Sequence, residues 1–168
     1  AGILAVLILT SAQPVAAQEP ARKIDLGSLG PKVGESVPDF KLQDGRGQWW
    51  TRDSAMGPQG AMIVFSRSAD WCPYCKTQLV ELQSRLGELK AKGLGLVVVT
   101  YDSPAVLADF SSRRGITFPL LSDPDKLVAG LFGVKRLGFL PSKRATFVVG
   151  TDRQVVAVIT SETSMNVH

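Results

Sequence analysis

Two stretches of the chain are continuously apolar and short: residues 62–65, "MIVF", and residues 96–99, "LVVV". Runs of this length, rich in β-branched residues and bounded by Gly or polar positions, predict strands buried on both faces. After the first run the spacing changes. Leu79, Leu82, Leu86 and Leu89 recur three and four apart, which predicts one helix through "CPYCKTQLVELQSRLGELKAKG", ended by Gly93. After the second run, Ser103 stands at an N-cap position with Pro104 just inside, and a second helix runs to Gly115.

Three further segments follow. "ITFPLLSD" reads as a short strand, "PDKLVAGLFGV" as a short helix, and "RATFVVGTDRQVVAVIT" as two strands about a tight turn at 151–153. Upstream, a short strand at 40–42 meets the turn "DGRG", and "QWWT" returns as its partner, a hairpin pattern. The order ββ, βαβα, βαββ predicts an α/β domain: a central mixed β-sheet flanked by helices, with an N-terminal β-hairpin extension. Trp49, Trp50 and Phe147 are expected in the core or on a covered sheet face.

The 168 residues, 45% hydrophobic and 20% charged, suffice for one globular domain and not for two. A net charge of +4 is spread thinly. The densest basic pairs are Arg113–Arg114 and Lys143–Arg144, so nucleic acid is not an expected partner. Residues 2–9 are almost all apolar, and "PVAAQ" follows with Val15 and Ala17 at the positions a processing site keeps small. The expected organisation is a signal peptide at 1–17, entered part-way along, a linker at 18–32 and a folded domain at 33–168. The expected location is periplasmic or otherwise extracytoplasmic, with an uncleaved form tethered to the membrane and facing the periplasm as the alternative.

Both cysteines lie in "ADWCPYCKTQ", as Cys72 and Cys75. Zinc calls for four ligands, and the chain adds only His168 to the two thiols, so no metal is expected. A structural disulfide closing so small a loop removes little unfolded-state entropy. A redox dithiol fits the surroundings. The pair sits where a buried strand turns into a helix, so Cys72 meets free N–H groups and the positive end of the helix dipole, both of which favour a thiolate. Pro73 suits the first helical position, Lys76 adds positive charge, and Asp70 is placed to cap the turn. Cys75, nearly one turn on, is placed to attack a mixed disulfide at Cys72. Trp71 and Tyr74 flank the sulfur with flat surface for a partner. No cofactor is called for.

"WCPYCK" on a strand-to-helix turn resembles the thioredoxin superfamily. "VGESVPDFKL", "VVVTYDSPAVLADFSSRRGITFPLLSDPDKLVAGLFGV" and "RATFVVGTDRQVV" together resemble the peroxiredoxin-like redoxins, the alkyl hydroperoxide reductase and thiol-specific antioxidant (AhpC/TSA) family, over about residues 33–160. The resemblance implies a thioredoxin-like fold. It also implies a catalytic arginine, matched by Arg144 in "RATF". The family's P-x-x-x-T-x-x-C loop is incomplete. With Cys75 as the peroxidatic cysteine, Ser68 stands for Pro and Cys72 for Thr; with Cys72, Phe65 stands for Pro and Ala69 for Thr. The thioredoxin cis-Pro is also missing, since Ala145 precedes Thr146, and Pro141 is a poor substitute. No counterpart of the thioredoxin C-terminal helix follows "VVAVIT", which suggests a shortened C-terminus.

The resulting expectation is an exported thiol-dependent oxidoreductase. Cys72 is the more exposed sulfur and first nucleophile, Cys75 resolves, and Arg144 stabilises charge. The oxidant is a hydroperoxide or a protein disulfide, and the electron donor a thioredoxin-like or membrane dithiol protein. A copper-delivery module on the same fold is the binding alternative. It is disfavoured by the two-residue Cys spacing and the lack of an internal His. A redox-silent interaction domain is the third reading, against which the intact cysteines argue.

Overall fold

A computed structural model describes residues 29–136 and 142–160. The expected signal peptide, the tail with His168, and Pro141 lie outside the described residues. The hairpin forms as expected, with β1 (Lys41–Asp44) antiparallel to β2 (Trp49–Thr51). The two apolar runs become β3 (Gly60–Phe65) and β4 (Leu94–Thr100), and "PLLSD" supplies β5 (Leu120–Ser122). β6 (Ala145–Val149) and β7 (Val155–Thr160) pair about a turn in which Arg153 takes φ 65°. The seven strands form one mixed sheet in the order β2-β1-β5-β4-β3-β6-β7. β3, β4 and β5 are parallel, and the remaining pairings are antiparallel.

Alternating side chains of the central strands feed two cores, one on each face of the sheet. On one face Ile63, Phe65, Val97 and Val99 pack with Phe40, Phe132 and Phe147. Phe132 is the hub, with ring centroids 4.8 Å from Phe65, 5.0 Å from Phe147 and 6.5 Å from Phe40. On the other face Val64 and Val98 meet Leu79, Leu107 and Phe110 from the helices. β3 is pressed close to β6 at its start. Gly60 holds φ 123°, and a Cβ there would lie 2.2 Å from the Val149 carbonyl oxygen.

The predicted helix after the dithiol is two helices, α1 (Pro73–Ser84) and α2 (Leu86–Ala91), broken at Arg85 with φ −100° and ψ 3°. Ser84 Oγ donates back to the Glu81 carbonyl at 2.7 Å, and Gly87 follows, so the chain has both a competing local bond and a weak helix former at the break. The kink leaves Leu86 buried in the helix-side core. α3 (Pro104–Arg114) matches expectation at both ends: Ser103 Oγ accepts from the Val106 amide at 3.4 Å, and Gly115 stops the helix in the left-handed region at φ 64°. α4 (Leu127–Leu131) starts on Asp123, whose carboxylate accepts from the Leu127 and Ala129 amides.

Two further expectations are corrected. Trp49 is not core: it is 56% exposed on the edge strand, with the Lys41 ammonium 5.2 Å from its ring centre. Among the described residues β2 is the last strand on its side of the sheet, and the Trp49 ring is covered only in part. The packed chain also reaches upstream of Val33, into the expected linker. Leu29 is 3% exposed and belongs to the Phe132 core, whereas Val33 itself is exposed.

Candidate active site

The dithiol sits at the C-terminal end of the parallel strands. β3 ends at Phe65, a loop spans residues 66–71, and α1 begins at Pro73 with Cys72 as its N-cap. The Cys75 amide donates to Cys72 Sγ at 3.3 Å, and the Lys76 amide donates to the Cys72 carbonyl at 3.0 Å. Pro73 has no N–H to lose at this position. Cys72 and Cys75 are disulfide-bonded, with their Cα atoms 5.2 Å apart. Cys72 is 4% and Cys75 0% exposed, so both cysteines are buried. Beside them in sequence, Trp71 and Tyr74 are each 47% exposed. The Trp71 indole donates to the Tyr101 hydroxyl at 2.6 Å, and the Lys126 ammonium lies 5.2 Å from the Tyr101 ring centre. Lys76 Nζ donates to the Asp70 carbonyl at 2.6 Å, which fixes its charge at the N-terminal end of α1.

The loop is anchored from β4. Asp102, just past the end of that strand, is buried. Its Oδ1 accepts from Ser68 Oγ at 2.8 Å, and its Oδ2 accepts from the Ala69 amide at 2.7 Å and from Thr100 Oγ1 at 2.9 Å. Ser68 Oγ in turn accepts from the amides of Asp70 and Trp71 at 2.9 and 3.3 Å. The turn is therefore capped by Ser68 rather than by the Asp70 carboxylate. Ser68 is also the residue that stands for Pro when Cys75 is matched to the peroxidatic cysteine. The hydroxyl of Ser66 and Nε of Arg67, both buried atoms, have no hydrogen-bond partner among the described residues.

Arg144 directly precedes β6 and is only 7% exposed. Phe65 pairs with Ala145 in the antiparallel register, so Arg144 lies one step beyond that pair, at the strand end from which the dithiol loop departs. It is a buried cation at the dithiol end of the sheet, not a solvated strand-end charge. The three residues singled out from sequence thus share one end of the sheet. Asp102, Ser68 as an anchor and Tyr101 were not foreseen. The signal for them is local: "SRS" and "TYD" are polar clusters directly after two adjacent parallel strands, where α/β sheets assemble their sites.

A cavity of about 490 Å³ lies elsewhere, between the hairpin, α2, α3 and the start of β4, and none of the dithiol loop lines it. Among the described residues no group of three or more His, Cys, Asp or Glu side chains could hold a metal ion. No helix among them is long and apolar enough to cross a membrane.

Comparison with known proteins agrees with this fold. The AhpC/TSA family pattern matches residues 33–158. The Mycobacterium tuberculosis protein Rv1608c (strain H37Rv) is 38% identical over 143 residues, 82% of this chain and 90% of that protein. Peroxiredoxin Bcp of Escherichia coli K12 is 32% identical over 103 residues, 61% of this chain and 65% of that protein. Among solved structures, peroxidoxin BcpB from Mycobacterium tuberculosis superposes with a TM-score of 0.74 at 33% identity, covering 80% of this chain and 89% of that one. Enterococcus faecalis AhpC reaches 0.70 at 20% identity over 80% of this chain and 83% of its own, a likeness of fold alone. With its thioredoxin-like mixed sheet and its cysteine pair on the strand-to-helix turn, the chain belongs to the AhpC/TSA family of peroxiredoxin-like, thiol-dependent oxidoreductases.

Proposed function

We propose that the protein reduces hydroperoxides through the Cys72–Cys75 dithiol and is itself re-reduced by a thioredoxin-like dithiol protein. The observation that carries this reading is Cys72 at the N-cap of α1, its sulfur accepting the Cys75 amide, with Cys75 bridged to it within one helical turn. An N–H donor and the helix dipole favour the thiolate, the form that attacks. In the first step Cys72 Sγ attacks one peroxide oxygen. The S–O bond forms, the O–O bond breaks, and the second oxygen leaves as an alcohol or water after taking a proton. Charge grows on that leaving oxygen, and Arg144 is the cation at this end of the sheet suited to stabilise it. Cys75 then attacks the Cys72 sulfenic acid, an S–S bond forms and water leaves. A dithiol donor reduces the disulfide, taking the oxidation onto its own sulfurs.

A second reading, protein disulfide exchange at the same dithiol, is favoured by the two half-exposed aromatic residues beside it. Exchange asks only for a thiolate and access. For location we propose export from the cytoplasm, on the strength of the apolar stretch at 2–9 and "PVAAQ"; N-terminal sequencing of the protein from its host tests this, and an intact start favours the tethered form. The decisive experiment for activity is a pair of assays, hydrogen peroxide consumption with a thioredoxin system and insulin disulfide reduction, run on wild type, Cys72→Ser and Cys75→Ser. Loss of both activities in Cys72→Ser is expected. Peroxide turnover that survives that change sinks the proposal.

A further inference from the structure

A buried carboxylate is costly, and it persists where hydrogen-bond donors compensate it. Asp102 has such donors, and their identity is informative. One comes from the end of the preceding strand, Thr100 Oγ1 at 2.9 Å. The other two come from 33 and 34 residues away, the Ala69 amide at 2.7 Å and Ser68 Oγ at 2.8 Å, both in the loop that delivers Cys72 to α1. Ser68 is completely buried and passes the constraint on, because its oxygen also takes the Asp70 and Trp71 amides. Four consecutive residues, Ser68, Ala69, Asp70 and Trp71, are thereby held by one carboxylate directly or through one hydroxyl. The next residue is Cys72.

We propose that Asp102 is a positioning residue of the dithiol: through Ser68 and Ala69 its carboxylate fixes the loop so that Cys72 Sγ meets the free N–H groups of α1. The inference rests on the reading of Cys72 as the nucleophile. Asn cannot replace Asp102. Ser68 Oγ already accepts two amides and must donate its proton to the residue-102 side chain. An Asn that turns its oxygen to Ala69 and Thr100 presents N–H donors to Ser68, leaving the hydroxyl proton without an acceptor. Ser68→Ala breaks the same link from the other side and leaves the Asp70 and Trp71 amides without their acceptor.

The test is the iodoacetamide alkylation rate of Cys72 against pH in a Cys75→Ser parent, with Asp102→Asn, Ser68→Ala and their combination added. Apart from the Asp102 carboxylate itself, the charged groups of the loop, of α1 and of the segment leading into β6, namely Arg67, Asp70, Lys76, Glu81, Lys143 and Arg144, stay unchanged in all of them. Ser122→Ala is the control, since Ser122 Oγ gives a buried bond of 2.7 Å to the Asp102 main-chain carbonyl and does not touch the carboxylate. Both loop variants are expected to move the profile to higher pH and slow alkylation at pH 7 about tenfold, the change expected when a thiolate loses a helix N-terminus. The combination is expected to be no worse than either alone, and the control to keep the parent profile while losing thermal stability. If the parent itself titrates like a free thiol, the nucleophile assignment falls and the inference with it. If the parent profile is depressed and Ser68→Ala matches it, or if the control shifts as far as the loop variants, the positioning role alone is overturned. Ser68→Ala decides the matter even if Asp102→Asn does not fold.

Discussion

The amide of Cys75 donates to the sulfur of Cys72 across 3.3 Å, so the resolving residue solvates its own target. The same turn that places one thiol for attack supplies the N–H that favours the other as an anion. The two roles are separable by trapping. In Cys75→Ser, one equivalent of hydrogen peroxide is expected to leave Cys72 as a sulfenic acid that dimedone captures, visible by mass spectrometry. In Cys72→Ser the Cys75 thiol, fully buried at the third position of the helix, is expected to give no adduct on the same timescale. Adduct formation on Cys75 with none on Cys72 reverses the assignment.

Trp71 and Tyr74 are each about half exposed while the two neighbouring cysteines are buried, which makes the rings the first surface a large substrate meets. Trp71→Ala and Tyr74→Ala are expected to raise KM for a protein dithiol or protein disulfide several-fold. The rate constant with hydrogen peroxide, too small to touch both rings, is expected to fall much less. Equal losses with both substrates would mean that the rings support the loop and do not receive partners. For Trp71 that alternative has a route, its bond to the Tyr101 hydroxyl.

Much of this was legible in the sequence because it depends on local pattern. The runs at 62–65 and 96–99 read as buried strands because they are short and bounded by Gly or polar residues, and Ser103-Pro104 with Gly115 marks both ends of α3. The dithiol's place at a helix start follows from the strand before it and Pro73 within it. What escaped depends on contacts across sequence. The break at Arg85 leaves the leucine spacing intact, so periodicity does not reveal it. Trp49 alternates correctly for a strand, but nothing in the chain says that its strand lies at an edge. Asp102 and Ser68 lie 34 residues apart, and only the parallel pairing of β3 with β4 brings their ends together.

The aromatic core is expected to be the most mutation-sensitive part of the fold. Phe132, just after α4, is completely buried and packs against three other rings. Phe132→Ala removes the hub and leaves a cavity, for which about 3–5 kcal/mol is the usual loss. Urea denaturation with an unchanged m value is the measurement. A loss below about 1 kcal/mol would mean that the site collapses to fill the space.

The exposed pair Asp53–Arg153 ties the segment after β2 to the β6–β7 turn. The hydrogen bond from Arg153 comes first among the causes that hold the Asp53 carboxyl below its ordinary value. A carboxylate so depressed stabilises the fold above its unfolded-state pKa, and that contribution is lost as pH falls through the folded value. Asp53→Asn is expected to lower Tm slightly at pH 7, with the gap to wild type closing as the solution is acidified below the normal carboxylate range. A gap that persists in acid would assign the loss to geometry and not to charge.

Arg144 separates the two candidate substrates. Peroxide cleavage develops negative charge on an oxygen that needs a nearby donor or cation, whereas disulfide exchange expels a sulfur that carries its charge more easily. Arg144 is buried one residue before β6, beside the end of β3. Loss of a single donor for a developing oxyanion commonly slows a reaction about a hundredfold or more. Arg144→Ala is therefore expected to depress peroxide reduction by that order and insulin reduction by less than about tenfold, with Arg144→Lys recovering part of the peroxide rate because the charge is kept while the planar fork is lost. The comparison has to be made on protein shown to be folded, since removing a buried cation also costs stability. Equal losses in the two assays, or full activity in Arg144→Lys with none in Arg144→Ala for both substrates, would make Arg144 a support for the strand end and leave the peroxide reaction to the dithiol and its loop alone.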